Sequence, residues 1–257
     1  MASQGQSFGY QANDITALEL ALSPERLQPY LTMAQGHRKT AILLYERNTS
    51  LSEALYGVTQ AAEVALRNCI HRTLSTAHQS MWFNSVGLTD PQADMVLQAE
   101  HEIRTKNRTL NPGSIVAELN LGFWTSLVSA KYEKNLWVPH LHKVFSNAIY
   151  VKTDKGGNQT KVKLDRRDIH LRLESLRSLR NRIAHHESIL KLDLERLYLE
   201  TLEALTWVCP TSAQWVRSTN CFAVRFNQLV PTRPAIIIPT AAAAPRPGMP
   251  IRTRRKP

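Results

Sequence analysis

The chain has 257 residues, 43% of them hydrophobic and 21% charged, which is enough apolar material for one sizeable core. Its net charge is +11; Pro231 to Pro257 holds six basic residues and no acidic one, leaving about +5 elsewhere, and such a balance favours an anionic partner, nucleic acid before membrane headgroups. No apolar run approaches a bilayer span, no basic-then-apolar leader opens the chain, and Cys69, Cys209 and Cys221 form no CxxC, so the expectation is a cytoplasmic protein without membrane association, disulfide framework or zinc site.

Residues 1–12 read as a disordered start. Ser23-Pro24-Glu25-Arg26 opens a short helix, with serine as N-cap and proline at the first helical position. From His37 to about Ala77 the pattern is helical, with a predicted break near Asn48-Thr49-Ser50, where Ser50-x-x-Glu53 has the capping-box form. Leu55, Val58, Ala62, Leu66, Cys69 and Ile70 form its core face, and Tyr56, Glu63, Arg67 and His71 a polar seam along the edge. Two readings of that seam stand open: a solvated row of helix ion pairs, each worth a few tenths of a kcal/mol, or a carboxylate and guanidinium reaching into a site.

Thr89-Asp90-Pro91 opens a helix to about Asn107, and Asn111-Pro112-Gly113-Ser114 opens the next, which runs through Ile115, Leu119, Phe123, Trp124 and Val128. Helical spacing continues from Tyr132 to about Ile149, interrupted at Val138-Pro139, with its aromatics read as packing. Val151 to Arg167 has no helical period and two glycines; it is a surface loop or short hairpin. Lys161, Lys163, Arg166 and Arg167 within it are candidates to guide a phosphate backbone, and Asp165 or Asp168 to cap the helix that follows. Leucines from Leu190 to about Val208 mark a helix stopped by Cys209-Pro210, a further helix spans Ala213 to about Leu229, and residues 231–257 read as a disordered, basic, proline-rich tail. The fold class is all-α.

The densest chemistry lies in Arg177-Ser-Leu-Arg180-Asn181-Arg182-Ile-Ala-His185-His186-Glu187, at the end of a periodic segment. On a helical wheel with Arg180 at zero, Leu173, Leu176, Ile183 and Ala184 fall within about 60° of it, which places an arginine in an apolar stripe. A cation so placed needs a partner, because a charge taken from water is costly unless paired. Asn181 and His185 share one flank, about 100° to 140° from Arg180, so the three converge if the helix ends near His185.

Arg180-Asn181-Arg-Ile-Ala-His185 matches the R-x4-6-H signature of the HEPN superfamily. Leu51-Ser-Glu-Ala-Leu-Tyr56, Glu63-Val-Ala-Leu-Arg67-Asn-Cys-Ile-His71, Ile115 to Trp124, Tyr132-Glu133 and Leu136-Trp137 also resemble, in the same order, the bacterial Abi-like (abortive infection) proteins of that superfamily. The resemblance covers roughly residues 20 to 210. It implies a HEPN helical bundle with additional helices over residues 13–230, often a homodimer, and in many members a cofactor-free, metal-independent endoribonuclease of toxin–antitoxin or antiphage systems, with RNA and an antitoxin protein as partners.

Carried over residue by residue, Arg180 stabilises the charge on the scissile phosphate, His185 is general acid or base, and Asn181 orients phosphate or histidine. His186 also fits the spacing. Arg177, Glu187, Glu63 and Arg67 are supporting candidates, and Arg182 joins the loop cations as a candidate RNA contact. Glu187 stands where some HEPN toxins carry a modifiable tyrosine, so control by that modification is not implied. Two alternatives remain: a non-catalytic HEPN module that binds RNA, nucleotide or a partner protein, and a structural account in which the histidines terminate a helix and complement its dipole. A metal site from His140, His142, His185 and His186 lacks an acidic ligand of supporting spacing.

Overall fold

The structure, a computed structural model, describes residues 8–154 and 156–229. The predicted tail, 231–257, and residues 1–7 of the predicted start lie outside the described residues. Helices dominate: α1 (Ala12–Leu22), α2 (Pro24–Met33), α3 (Arg38–His78), α4 (Asp90–Thr105), α5 (Pro112–Glu118), α6 (Leu121–Leu127) and α7 (Val138–Val144). A hairpin of β1 (Ile149–Thr153) and β2 (Gln159–Lys163) leads into α8 (Arg166–Ala184), α9 (Leu194–Val208), α10 (Pro210–Thr219) and α11 (Phe222–Leu229). No helix among the described residues is long and apolar enough to cross a membrane.

Helix α3 is the axis of the molecule: 41 unbroken residues, about 60 Å at 1.5 Å per residue. The predicted break near Ser50 is absent. Thr49 donates its hydroxyl to the Tyr45 carbonyl one turn back at 3.1 Å, and Asn48 is buried and engaged elsewhere, so neither side chain caps a new helix start. The buried face of α3, Leu51, Leu55, Val58, Ala62, Leu66, Ile70 and Leu74, packs into the main core with α6, α8 and α9. Trp82, Trp124 and Trp137 fill that core with their indole N–H groups satisfied, donating to His71 Nδ1 (3.0 Å), the Leu119 carbonyl (3.3 Å) and the Leu127 carbonyl (2.5 Å). His71 is therefore half-buried at the edge of the core, and burial holds its imidazole below the ordinary histidine range.

A smaller apolar cluster, Ile15, Leu27, Tyr30, Ala34, Ala41 and Ile42, binds α1 and α2 to the first turns of α3. Within the predicted disordered start, residues 8–11 are described: Phe8 packs edge-on against Tyr10, whose hydroxyl donates to Glu46, and α1 begins at Ala12.

Elsewhere several predicted helices divide. The tract from Asn111 ends at Glu118 and restarts at Leu121, because the Asn120 side chain accepts the Phe123 amide at 3.1 Å as a new N-cap. Asn111 and Ser114 form the capping box of α5. The helix expected from Leu190 starts only at Leu194, with Asp193 as its cap. That expected from Ala213 to Leu229 is two helices, since Asn220, in extended backbone, donates to the Ala54 carbonyl of α3 (2.7 Å) and accepts the Phe222 amide (2.8 Å). The segment after Ile149 is the hairpin, antiparallel with Ile149 opposite Lys163, its turn organised by Asp154 accepting the Gly156 and Asn158 amides.

Candidate active site at the end of helix α8

Helix α8 opens on Asp165, which accepts the Asp168 amide at 2.8 Å, and buries Ile169, Leu173, Leu176, Leu179 and Ile183. These residues centre the apolar stripe near Leu176, about 40° from Arg180 on the wheel. Ala184 is exposed, so Arg180 lies at the stripe's margin rather than in its middle. The guanidinium is 32% exposed and the carboxylate it meets only 15%: Arg180 Nε donates to Glu63 Oε2 of α3 at 3.2 Å. Arg180 Nη1 donates to Asn181 Oδ1 at 3.4 Å. The polar seam on α3 thus delivers Glu63 to the arginine. Fixed on two sides, the one-third-exposed guanidinium retains donors toward solvent, and among the described residues the Asn181 NH2 has no acceptor.

Helix α8 ends by a Schellman motif. His185 is the C-cap, the Glu187 amide donates to the Arg182 carbonyl (2.8 Å), and the His186 amide donates to the Ile183 carbonyl (3.1 Å). The motif needs a left-handed residue at the position after the cap; His186 occupies it with φ +56°, where glycine or asparagine is usual. Both histidines are exposed, and among the described residues neither imidazole has a hydrogen-bond or ion-pair partner. The expected convergence is therefore partial: Arg180, Asn181 and Glu63 are joined by hydrogen bonds, while His185 stands one turn on from Asn181 with its ring unengaged.

Two residues that the sequence reading passed over hold this turn. Arg26 Nη1 of α2 donates to the His185 carbonyl (3.1 Å) and the His186 carbonyl (2.7 Å), placing a cation on the negative end of α8. Asn48 of α3, buried, accepts the Ile189 amide at 2.8 Å and donates to the Glu187 carbonyl at 3.4 Å. Each left a mark in the sequence. Arg26 is a cation in the first turn of a helix, where the dipole disfavours it, and Asn48 falls in the apolar arc of α3.

The remaining candidates separate. Arg177 pairs with Glu174 of its own helix, and the Arg177 guanidinium and a Thr125 hydrogen bond hold the Glu174 carboxyl below the usual range although burial pushes it the other way. Arg182 and Glu187 pair at 3.4 Å across the turn. Arg67 donates to the Ala117 carbonyl at 3.5 Å and does not join Arg180. Arg166 is structural, donating to the Val128 carbonyl at 2.8 Å and facing Glu133 at 3.3 Å. Arg166 and Arg167 stand at the opposite end of α8, about 20 Å from Arg180 by helix rise, and Lys161 and Lys163 lie on β2, which leads into that far end. His140 faces His78, with Nε2 atoms 3.3 Å apart, and among the described residues no group of three or more His, Cys, Asp or Glu is placed to hold a metal ion.

Comparison with protein-family models, curated proteins and solved structures gives no match.

Proposed function

We propose that this chain is a metal-independent endoribonuclease of the HEPN type, acting on RNA as a conditional toxin or antiphage effector. The observation that carries the reading is the Glu63–Arg180–Asn181 cluster: a guanidinium oriented by a largely buried carboxylate and an amide, one-third exposed, one helical turn from an imidazole that has no partner among the described residues.

RNA carries its own nucleophile, so cleavage needs proton transfer and stabilisation of developing negative charge. In the proposed reaction His185 takes the proton from the 2′-OH, whose oxygen attacks the adjacent phosphorus. Arg180 and the Asn181 NH2 receive the charge gathering on the non-bridging oxygens. The P–O5′ bond breaks, the leaving oxygen takes a proton from solvent or a second imidazole, and the products are a 2′,3′-cyclic phosphate and a 5′-OH. A homodimer would supply that second imidazole, and an antitoxin protein is the natural partner of such an activity.

The test is cleavage of a mixed RNA panel in EDTA with end-group analysis, wild type against His185→Ala and Arg180→Ala. Cleavage to cyclic phosphate ends by the wild type alone, with both variants folded, supports the reading. Intact RNA throughout favours the non-catalytic binding module, and loss of wild-type cleavage on adding EDTA refutes the metal-free mechanism.

A further inference from the structure

His78, the last residue of α3, and His140 of α7 lie 62 positions apart in sequence, and the fold brings their Nε2 atoms to 3.3 Å. His140 is only 6% exposed. The two rings stand edge-on, with centroids 5.3 Å apart and planes at 84°.

A hydrogen bond between the rings accounts poorly for this pair. The separation lies beyond the ordinary range of about 2.7–3.2 Å for an N–H donor. Nδ1 of His140 is buried without a partner among the described residues, and it stays an orphan whether the ring carries its proton there or on Nε2. Burial first, and then the charges of Lys143 and His78, hold the His140 imidazole below the ordinary histidine range. The ring is therefore neutral at pH 7, with a nitrogen lone pair to offer.

Metal coordination accounts for the same distances. Two imidazole nitrogens, each about 2.0–2.1 Å from a tetrahedral ion, stand about 3.3–3.4 Å apart, and if both lone pairs point at the ion the ring centroids stand about 5.2 Å apart. The observed 3.3 Å and 5.3 Å meet both conditions. His78 also lies at the carbonyl end of a 41-residue helix, where the dipole favours a cation. Imidazole is a ligand suited to Zn²⁺, Ni²⁺ and Cu²⁺ and not to Mg²⁺ or Ca²⁺. Among the described residues no third His, Cys, Asp or Glu completes the set, so the other positions fall to water and the site is open.

We propose that His78 and His140 are the two protein ligands of a site for a divalent ion of the Zn²⁺ class, which ties the end of α3 to α7. Neither residue belongs to the Arg180 cluster, so the site stands or falls apart from the ribonuclease reading.

The experiment is titration of tag-free, chelator-treated protein with ZnCl₂, followed by calorimetry and by the thermal midpoint. It compares the wild type with His78→Gln, His140→Gln and Cys209→Ser, each checked for folding by circular dichroism. Only the folded chain holds the two rings together, so Zn²⁺ at a hundredfold excess over its dissociation constant should raise the wild-type Tm by roughly 5–10 °C, with one ion bound per chain. Both histidine variants should lose this shift and Cys209→Ser should keep it. The wild type should bind about tenfold more weakly, or worse, at pH 5.5 than at pH 7.5, because protons compete with the ion for imidazole. Absence of Zn²⁺ binding up to millimolar concentration overturns the site, as does an undiminished shift in His78→Gln. A shift lost only in Cys209→Ser assigns the ion to the thiol and overturns it too. Should buried His140→Gln fail to fold, His78→Gln, altered at a half-buried helix end, decides alone.

Discussion

Asn48→Ala tests how the turn after α8 is held. The Asn48 side chain is buried and accepts the amide of Ile189, itself fully buried, at 2.8 Å; its NH2 makes a longer bond of 3.4 Å to the Glu187 carbonyl. Alanine removes the acceptor while the Ile189 N–H stays in the core, so the cost is the full desolvation of an orphaned donor, about 1–3 kcal/mol, not the smaller net worth of a hydrogen bond. A small cavity and the weaker second bond bring the expectation to about 2–3 kcal/mol. At about 2–4 °C per kcal/mol for a domain of this size, Tm falls by roughly 4–12 °C. Urea unfolding followed by circular dichroism measures the loss. Amide exchange then locates it, with protection lost first at Ile189 and in the Schellman turn while α3 stays protected on both sides of residue 48. A loss under about 0.5 kcal/mol, the range of an ordinary surface substitution, would refute this account. So would unfolding that begins in α3, since it would make Asn48 a helix residue and not the anchor of the turn.

Other outcomes follow from the same geometry. Arg26→Ala removes a charge-assisted donor from the His185 and His186 carbonyls, which water can partly replace; stability should fall by about 1–2 kcal/mol and cleavage by more than binding, with Arg26→Lys recovering part of each, and an unchanged kcat would refute the role. Because burial lowers the His71 pKa and its Nδ1 accepts the Trp82 indole, the unfolded chain binds the proton more readily. The stability so contributed is full above the ordinary histidine value of about 6.5 and is lost as pH falls below it, so urea midpoints should drop between pH 7.5 and 5, and a flat profile would contradict this. The Cys209 thiol is drawn below the usual range by hydrogen bonds from the Ser212 hydroxyl and amide, whereas burial pushes the Cys69 thiol up. Iodoacetamide at neutral pH should therefore modify Cys209 well before Cys69, and Ser212→Ala should narrow the gap in peptide mass mapping.

What the sequence made legible follows from which interactions are local. The class, the Asn111 and Asp165 caps, the hairpin option after Ile149 and the core face of α3 depend on residues a few positions apart, and all appear in the structure. The seam on α3 was legible as a seam, but which side chain would leave it was not. Glu63 and Arg180 are 117 residues apart, and their contact depends on how α8 lies across α3. Capping chemistry near Ser50 misleads because polar groups that can end a helix are drawn off by distant partners, Asn48 by the loop at Ile189 and Glu53 by Arg225. The wheel puts Arg180 in mid-stripe only if Ala184 belongs to the stripe, and Ala184, at the helix end, is exposed. Adjacency in sequence links the hairpin cations to α8, but a 19-residue helix separates its two ends by more than 25 Å.

The end of α8 also bears on which of two adjacent histidines serves the proposed mechanism. His185, at φ −89° and ψ 7°, has left the helical region, but its amide still donates to the Asn181 carbonyl at 2.9 Å, so its Cα keeps the register of the Asn181 flank. His186, at φ +56°, is where the chain reverses hand, and its side chain leaves that register. Its backbone holds the Schellman turn closed and offers Arg26 the shorter of the two carbonyl bonds, a task that any left-handed residue performs. Replacing His186 by glycine therefore removes the imidazole while relaxing the backbone, and replacing it by alanine strains the same turn. If His185 carries the chemistry, His186→Gly leaves cleavage near the wild-type rate and raises stability slightly, whereas His185→Ala abolishes cleavage with the turn intact. The opposite pair of results assigns the proton transfer to His186 and detaches the mechanism from the Asn181 flank.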